Sequence, residues 1–443
     1  MADRSSEHFG DRAMIPAARV AAAIEVLADI EEKRRPAAES LKDWGHSRRF
    51  AGSGDRSAIA GLVYDALRRK ASSAWLLGED GPRGGVIGAL KQLRGLSGDE
   101  IALLFTGAGH APAPLSATER ERLAHGALDG APAWVRGDYP EWLAPAFAAS
   151  FGDAAADEGR ALAERAPVDV RVNTLKGDRE HALALLAHLS PCRTPISPIG
   201  LRFAISADGR GPALAAEPAN ARGLIEVQDE GSQIAALLSG ARSGAQVLDL
   251  CAGAGGKSLA LAAMMNNQGQ IYATDPNGRR LMPIFDRLAR AGARNVQVRA
   301  PKGPRDILGD LTARCDLVFV DAPCSGSGAW RRNPDAKWRM RPGALQQRIK
   351  DQIETLENGS RFVRPGGWLF YATCSVLREE NEDRIAAFLE AHADFLPIEA
   401  GHLARSAGLP GLAPHASTLG AGLRLSPLRT ATDGFYVAAL ARA

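Results

Sequence analysis

The spacing of hydrophobic and polar positions changes along the chain and divides it into three parts. Up to about residue 130, apolar residues recur every three to four positions, as in 17–30 (AARVAAAIEVLADI), which predicts amphipathic helices. Between 131 and 240, helical stretches mix with short strand-like runs such as 168–174 (VDVRVNT). We therefore predict an all-helical domain over 1–130 and a small α+β module over 131–240.

From residue 241 onward, short apolar runs alternate with helical stretches. The strand-like runs include 245–251 (AQVLDLC), 270–275 (QIYATD), 315–323 (CDLVFVDAP) and 366–375 (GGWLFYATCS). This alternation is typical of α/β proteins, in which helices cover both faces of a parallel sheet. We predict a doubly wound, Rossmann-like α/β domain over 241–443.

Charge, apolar runs and cysteine spacing limit the kinds of function that the chain can have. The 443 residues carry a formal charge of +3, with basic clusters such as 68–70, so an acidic partner would be held by local patches. No apolar run approaches the roughly 18 residues of a spanning helix, which argues against a membrane role. The polar start MADRSSEHFG lacks the apolar core of a signal peptide, and the five cysteines form no CxxC pair. We expect a cytoplasmic protein with free thiols and, since the histidines show no ligand spacing, no metal.

A glycine loop follows the first strand of this domain, in VLDLCAGAGGKS. Gly253, Gly255 and Gly256 allow the backbone to approach a ligand at a helix N-terminus. A phosphate-binding P-loop would need glycine where Cys251 stands, so the loop does not predict an NTPase. The loop also differs from the dinucleotide pattern GxGxxG, which favours a ligand with one nucleoside, such as S-adenosylmethionine.

Two polar residues extend this candidate ligand site. Asp275 closes the second strand at a spacing that suits a carboxylate holding ribose hydroxyls; a solvated turn residue is the alternative. Lys257 either contacts the ligand's carboxylate or is an ordinary lysine of the first helical turn, and both interpretations stay open.

Two cysteines end neighbouring strand-like runs. Cys324 lies in DAPC with Asp321, and Cys374 lies in TCS at the end of the next run. Because consecutive parallel strands are usually neighbours, we expect both thiols at one edge of the sheet. A lone cysteine is usually a small buried hydrophobe, but two at matching strand ends beside an aspartate favour a reactive pair.

Long motifs give the chain a family resemblance. The segments DLCAGAGGKS, DAPCSGSGAWRRNPDAKW, TCSV, VNTLK, VQDEGSQ and TDGFYVA together resemble the Sun/RsmB-type RNA cytosine-5 methyltransferases, over about residues 130–443. The helical N-terminus, notably SGDRSAIAGLVYDALRR, resembles the NusB-like RNA-binding domain of the bacterial rRNA enzymes in this family. The resemblance implies methylation of small-subunit (16S) rRNA, with tRNA as the nearest competing substrate, by an enzyme that we expect to be a monomer.

The resemblance also implies residue roles. Cys374 would be the nucleophile that adds to carbon 6 of cytosine, Cys324 would assist release of the methylated RNA, and Asp321 would contact the cytosine edge. The cofactor S-adenosyl-L-methionine would be held by Asp275, Asp321 and the loop residues Cys251, Ala252, Gly253, Ala254, Gly255, Gly256 and Lys257. Cys192 and Cys315 would be structural.

The chain departs from the family pattern at two places. Ala254 stands where proline is common, which we expect to loosen the loop without abolishing binding. Lys302 stands where many relatives carry the acid that holds the adenine amino group. Either Asp306 takes over that contact or adenine recognition is weaker.

Aromatic and cationic residues follow the DAPC motif. We predict that they stack on bases and pair with phosphates; the alternative is that the tryptophans are core and the arginines a solvated loop. The predicted RNA-binding residues are Trp330, Arg331, Arg332, Lys337 and Trp338. The target cytosine must be single-stranded or flipped out of a helix.

Two other interpretations compete with an RNA methyltransferase. A non-catalytic RNA-binding assembly factor would be expected to have lost Cys374, Asp321 or the glycine loop, and all three are present. A DNA cytosine methyltransferase would place its nucleophile in the DAPC position, with no role for the cysteine of TCS.

Overall fold

The computed structural model describes residues 13–206, 209, 211–301 and 306–443; Lys302 lies outside these ranges. The α-helices in the described residues are α1 Pro16–Lys33, α2 Ala37–Ser47, α3 Ser53–Arg68, α4 Lys70–Leu77, α5 Pro82–Arg94, α6 Gly98–Ala102, α7 Ala117–His125, α8 Ala133–Arg136, α9 Ala144–Phe151, α10 Ala155–Ala163, α11 Arg179–Leu185, α12 Pro218–Ala221, α13 Glu230–Leu238, α14 Gly256–Met264, α15 Ile284–Ala291, α16 Pro334–Arg339, α17 Pro342–Ser360, α18 Glu382–Ala391, α19 Ala400–Ser406 and α20 Pro427–Thr430.

The strands and short 3-10 helices complete the regular structure of the described residues. The strands are β1 Val168–Val172, β2 Cys192–Arg193, β3 Gly200–Phe203, β4 Ile225–Val227, β5 Gln246–Asp249, β6 Gln270–Ala273, β7 Val296–Val298, β8 Cys315–Asp321, β9 Val363–Thr373, β10 Phe395–Pro397, β11 Leu423–Leu425 and β12 Phe435–Arg442. The 3-10 helices are Glu141–Leu143, Gly152–Ala154, Ala187–Leu189, Leu214–Ala216, Gly278–Leu281, Gly309–Leu311, Ser327–Ala329, Arg378–Glu380 and Pro410–His415.

The chain forms two compact units. The first contains the described residues up to Ala144 together with Ala155–Ala163 and Asn333–Arg339, and its regular structure there is entirely helical. Its core is made by the apolar faces of the helices, with Ile59, Val63 and Val86 fully buried. The predicted helical N-terminal region is thereby confirmed. Because the second unit carries both sheets, it does not test the predicted domain boundaries at 130 and 240, which stay a prediction.

The smaller sheet of the second unit is antiparallel, with strand order β2-β3-β1-β4. The apolar residues Val170 and Val172 of β1 and Leu201 of β3 are fully buried and pack with α11 residues into a separate core. Side chains two positions apart on a strand share one face of the sheet, and the charged residues on the other face of β1, Asp169 and Arg171, are buried as well. The predicted α+β module is therefore present in the fold.

The larger sheet has the strand order β10-β12-β9-β8-β5-β6-β7, and β11 pairs with β12. Strands β9, β8, β5, β6 and β7 are parallel, whereas β10, β11 and β12 are antiparallel additions at one edge. Val247 and Phe319 belong to the core on one face, and Leu248 and Val318 belong to the core on the other. Helices thus cover both faces, as predicted; the antiparallel edge was not predicted.

The strand order fixes where a ligand can bind. From β5 the chain proceeds outward to β6 and β7 and then crosses to β8 on the opposite side of β5. The carboxyl ends of β5 and β8 therefore flank the crevice in which doubly wound sheets bind ligands. Both β5 and β8 end at an aspartate, Asp249 and Asp321 respectively.

Across the described residues, we find no helix with the length and apolar character needed to cross a membrane.

Candidate active site

The glycine loop joins β5 to α14 in a tight turn. Gly253 and Gly255 have φ angles of 50° and 86°, in the left-handed region that favours glycine. A Cβ atom on Gly255 would lie 2.4 Å from Cγ1 of Ile284, so a larger residue does not fit there. The Ala254 carbonyl accepts a hydrogen bond of 2.5 Å from the Arg287 guanidinium. That contact fixes the loop at the position where the sequence lacks the common proline.

Asp275 lies at the end of β6, beside the loop, and is buried. Its carboxylate accepts hydrogen bonds from Gly253 N at 3.0 Å and Asn277 N at 2.9 Å. The exposed Arg280 guanidinium lies 3.3 Å from the same carboxylate. The solvated-turn alternative is therefore incorrect, because Asp275 ties the second strand to the glycine loop.

A cavity of about 440 Å³ opens beside Asp275, a volume typical of small-molecule sites. Its lining is mostly apolar on one side and polar on the α17 side: Leu250, Thr274, Asp275, Pro276, Pro301, Ile307, Leu308, Glu354, Thr355 and Asn358. The α17 residues were not identified from the sequence. Asp306 is exposed and accepts a hydrogen bond from Leu308 N at 2.9 Å.

Asp249 was also missed from the sequence. It is fully buried, and its Oδ2 accepts a 2.6 Å hydrogen bond from the Ser258 hydroxyl. Its Oδ1 has no partner among the described residues, which marks a polar atom that a bound ligand can satisfy. Burial raises the pKa of Asp249 to about 7, opposed by the Ser258 hydrogen bond and assisted by the negative charge of Asp321. A titratable group with a strongly shifted pKa in a crevice is typical of a functional site.

Lys257, in the first turn of α14, points at the predicted catalytic aspartate. Its ammonium nitrogen lies 3.0 Å from Asp321 Oδ2, and its side chain is only 6% exposed. It also lies over the Phe435 ring, 5.3 Å from the centroid. Neither open interpretation of Lys257 described this ion pair, which links the start of α14 to the end of β8.

The two candidate thiols converge as predicted. Strands β8 and β9 pair in parallel with Asp321 opposite Ala372, and Ala322 N donates to Ala372 O at 2.8 Å. The short segments beyond these residues bring the Sγ atoms of Cys324 and Cys374 to 3.4 Å. Both side chains are partly accessible.

Contact with Cys374 affects the ionisation of the Cys324 thiol. The hydrogen bond with Cys374 and then burial raise the pKa of the Cys324 thiol well above its usual range, and the nearby Glu380 carboxylate adds to this. Because two thiolates at 3.4 Å would repel each other, the pair does not ionise twice in one step. The contact with Cys374 therefore opposes ionisation of Cys324.

The other cysteines lack this setting. Burial, with the negative charges of neighbouring aspartates, raises the pKa of Cys251 well above its usual range, and burial raises the pKa of Cys315 to about 12. Cys192 is exposed on β2, where its thiol lies 3.6 Å from the Arg202 carbonyl.

The arginines of the predicted RNA-binding set belong to a buried ion cluster. Arg331 is 5% exposed, and its guanidinium contacts Asp433 and Asp229. Arg332 contacts the same two carboxylates, at 2.8 Å from Asp229 and 2.5 Å from Asp433. The motifs VQDEGSQ and TDGFYVA thereby hold the segment after DAPC in place. The prediction that these arginines face RNA phosphates is corrected, because their charges are already compensated inside the protein.

The remaining members of the set are packed as well. Trp330 is 1% exposed and stacks on Phe147, with ring centroids 5.8 Å apart. In the helical unit, Lys337 is buried and donates to Asp138 O at 2.5 Å, while Trp338 Nε1 donates to Leu67 O at 2.6 Å. These side chains therefore do not form the predicted stacking surface. The alternative of a core tryptophan describes Trp330, whereas Trp338 is partly buried against the core of the helical unit.

No group of three or more potential metal ligands occurs within the described ranges.

Comparisons with known proteins agree with this geometry. A family model described as 16S rRNA methyltransferase RsmB/F matches residues 236–441, and one described as the ferredoxin-like domain of RsmF/B-like methyltransferases matches residues 139–205. The probable ribosomal RNA small subunit methyltransferase B of Synechocystis sp. is 31% identical over 319 residues, covering 69% of this chain and 67% of that protein.

Two further matches extend the comparison. The ribosomal RNA small subunit methyltransferase B of Sodalis glossinidius is 35% identical over 311 residues, covering 69% of this chain and 66% of that protein. The crystal structure of a methyltransferase homologue from Pyrococcus horikoshii has a TM-score of 0.57 and 27% identity, covering 70% of this chain and 98% of that chain. The matched region thus spans about two thirds of the length of the curated relatives. With the loop, the crevice and the paired thiols in place, the chain belongs to the RsmB/F family of RNA methyltransferases.

Proposed function

We propose that the protein methylates carbon 5 of a cytosine in small-subunit rRNA through a covalent bond between Cys374 and the base. The observation that carries this proposal is the 3.4 Å approach of the Cys324 and Cys374 sulfurs at the carboxyl edge of β8 and β9. A methyl transfer to an oxygen or an exocyclic nitrogen needs no thiol, whereas carbon 5 of cytosine is a poor nucleophile until carbon 6 carries an added group.

Cys374 begins the reaction by adding its thiolate sulfur to carbon 6. The new carbon–sulfur bond pushes the electron pair of the 5,6 double bond towards nitrogen 3, and carbon 5 becomes the nucleophile. Asp321 relays a proton to nitrogen 3 from the Lys257 ammonium, which lies 3.0 Å from Asp321 Oδ2 and is left neutral, while Asp321 itself stays a carboxylate. This role explains why a lysine of the glycine-loop helix points at the end of β8.

Cys324 acts in the second half of the reaction. While Cys374 is free, the contact between the two sulfurs raises the pKa of Cys324, which therefore keeps its proton. Once Cys374 is bonded to carbon 6, that contribution disappears and Cys324 loses its proton to water more easily. As a thiolate, it removes the proton from carbon 5, the bond between carbon 6 and sulfur breaks, nitrogen 3 returns its proton, and the Cys374 thiolate is restored.

S-adenosyl-L-methionine is the cofactor of this family, and the described residues fit it. The cavity beside Asp275 has the size of a nucleoside site, and the glycine loop allows a ligand to approach the backbone closely. Asp249 Oδ1 has no hydrogen-bond partner among the described residues and can accept a hydrogen bond from a ligand. When bound, the cofactor supplies the methyl group that carbon 5 takes. Asp275 would hold the ribose, the apolar wall of Pro276, Pro301 and Leu308 would hold the adenine, and the loop backbone would hold the remainder.

Transfer of labelled methyl groups from S-adenosylmethionine to unmodified small-subunit rRNA and to a tRNA pool tests this proposal. We expect 5-methylcytosine in the rRNA, identified by nucleoside mass spectrometry. Cys374→Ala should reduce the rate at least about 10³-fold, since removal of a covalent nucleophile stops the chemistry. Cys192→Ala, which removes an exposed cysteine far along the chain from both motifs, is the matched control and should retain the unsubstituted rate.

The other outcomes identify what is wrong. A different methylated nucleoside would contradict the cytosine-5 chemistry, and full activity of Cys374→Ala would contradict the assigned nucleophile. Methyl label in tRNA alone would show that the substrate is tRNA and not small-subunit rRNA. No label in either RNA would favour the non-catalytic assembly factor.

A further inference from the structure

Glu380 is a buried carboxylate that no motif argument identified. It lies at the end of the 3-10 helix Arg378–Glu380 and is 0% exposed. Its Oε1 accepts hydrogen bonds from Ser325 N at 2.7 Å and from Gln352 Nε2 at 3.0 Å. Its Oε2 accepts one from each of two hydroxyls, Ser325 and Ser375, both at 2.5 Å.

These donors come from the two loops that carry the thiols. Ser325 directly follows Cys324, and Ser375 directly follows Cys374. Gln352 on α17 also donates to Pro323 O at 3.0 Å, on the other side of Cys324. One carboxylate is therefore the common acceptor for segments 50 residues apart in sequence.

The turn that carries Glu380 is itself held to β9. Tyr371 donates its hydroxyl to Glu380 O at 2.7 Å. The next residue, Asn381, accepts from the Thr373 hydroxyl at 2.6 Å and donates to Ser375 O at 3.0 Å. Because the carboxylate and the backbone around it are both anchored, the donors at Ser325 and Ser375 are held at fixed positions.

Resting on the proposed function, we propose that Glu380 is the positioning residue of the two-thiol site. By accepting from Ser325 and Ser375 it holds the Cys324 and Cys374 sulfurs in the spacing that the two half-reactions require. A charged acceptor suits this role, since hydrogen bonds to a carboxylate are shorter and about twice as strong as neutral ones. Misplacement of a reacting group by about 1 Å can cost about 10²-fold in rate.

The charge of Glu380 has a second effect that can be measured separately. It is one of the causes that raise the pKa of Cys324. Removing the charge should therefore lower that pKa and move the reactivity of Cys324 with an alkylating reagent to lower pH. A residue that served only to stabilise the fold would not produce this shift.

Glu380→Gln is the test variant, because it keeps the size of the side chain but places an NH2 group against donors. We expect kcat to fall about 10²-fold, with KM for RNA and for S-adenosylmethionine changed by less than about threefold. In a Cys374→Ala chain, the pH midpoint for iodoacetamide labelling of Cys324 should move to lower pH when Glu380→Gln is added. Glu379→Gln, the half-buried neighbouring carboxylate, is the matched control for both readouts.

Results of three kinds decide the proposal. Kinetic constants of Glu380→Gln within twofold of the unsubstituted enzyme, or an unmoved labelling midpoint, overturn it. If the variant does not fold, Ser325→Ala and Ser375→Ala decide instead: each should lower kcat about tenfold, and unchanged rates overturn the proposal. If the unsubstituted enzyme forms no 5-methylcytosine, the proposed function fails, whereas the labelling midpoint of Cys324 still supports or overturns the contact with Glu380.

Discussion

Asp249 gives a quantitative test of the electrostatics in the cofactor crevice. Its carboxyl group is fully buried at the end of β5, with one oxygen bonded to Ser258 and the other without a partner among the described residues. The change Asp249→Asn keeps the shape of the side chain and an oxygen that can accept from Ser258, but the new side chain cannot ionise. The variant therefore removes the cost of charging a buried group and little else.

The sign and size of the effect follow from the raised pKa of about 7, against an ordinary value of 3.8. The folded protein keeps this proton up to about pH 7, while the unfolded chain loses it near pH 4, so the contribution to stability is present at low pH and lost as the pH rises through 7. At 1.36 kcal/mol per unit of pKa difference, the full loss is about 4 kcal/mol. Between pH 5 and pH 8, about 2.5 kcal/mol of it should appear.

Urea unfolding of the unsubstituted chain and of Asp249→Asn at pH 5 and pH 8 measures this. The free energy of unfolding of the variant, minus that of the unsubstituted chain, should rise by about 2.5 kcal/mol between the two pH values, with unchanged urea slopes. Asp286→Asn, at an exposed carboxylate on α15, is the control and should show no such rise. A rise below about 0.5 kcal/mol for Asp249→Asn would refute the reasoning, because Asp249 would then titrate similarly in the folded and unfolded chains.

Two other substitutions test the scaffold of the site. Gly255→Ala should weaken S-adenosylmethionine binding, measured by calorimetry, and should lower the free energy of unfolding by about 1–3 kcal/mol more than the control Gly244→Ala. Both glycines have a φ of 86°, but only at Gly255 would a Cβ atom press against Ile284. Equal effects of the two variants would show that packing at the loop is looser than described. Asp433→Ala should lower the free energy of unfolding by about 3–5 kcal/mol, because it leaves buried arginine charge poorly compensated. The control Arg405→Ala, in an exposed ion pair, should cause no measurable change. Equal urea midpoints for the two variants would contradict the buried ion cluster.

Much of the site could be predicted because its signals are local. The glycine loop follows closely on β5, and the cysteines of DAPC and TCS lie just beyond the ends of two strands. The rule that consecutive parallel strands are neighbours was therefore enough to bring Cys324 and Cys374 together. The antiparallel strands β10, β11 and β12 were not predicted, because a short apolar run does not reveal whether its strand pairs in parallel or antiparallel.

The errors concern residues whose partners are distant in sequence. Arg331 and Trp330 have the composition of an RNA-binding surface, but Asp433 is 102 residues away from Arg331, and sequence does not reveal such a pair. Glu380 was overlooked for the same reason, because the run REENEDR has the pattern of a solvated helix start. Burial and tertiary contacts, which sequence patterns do not report, decide these roles. The likeness of the N-terminal helices to a NusB-like domain stays a prediction.

The most direct test of the two-thiol account is the fate of the covalent bond in Cys324→Ala. The chain is incubated with S-adenosylmethionine and labelled small-subunit rRNA, and protein-bound RNA is counted after denaturing electrophoresis. The account predicts a covalent protein–RNA complex that accumulates in Cys324→Ala, is scarce in the unsubstituted enzyme and is absent when Cys374→Ala is added. Rapid turnover by Cys324→Ala without the complex, or a complex that persists in the double variant, would contradict the assignment of bond formation to Cys374 and release to Cys324.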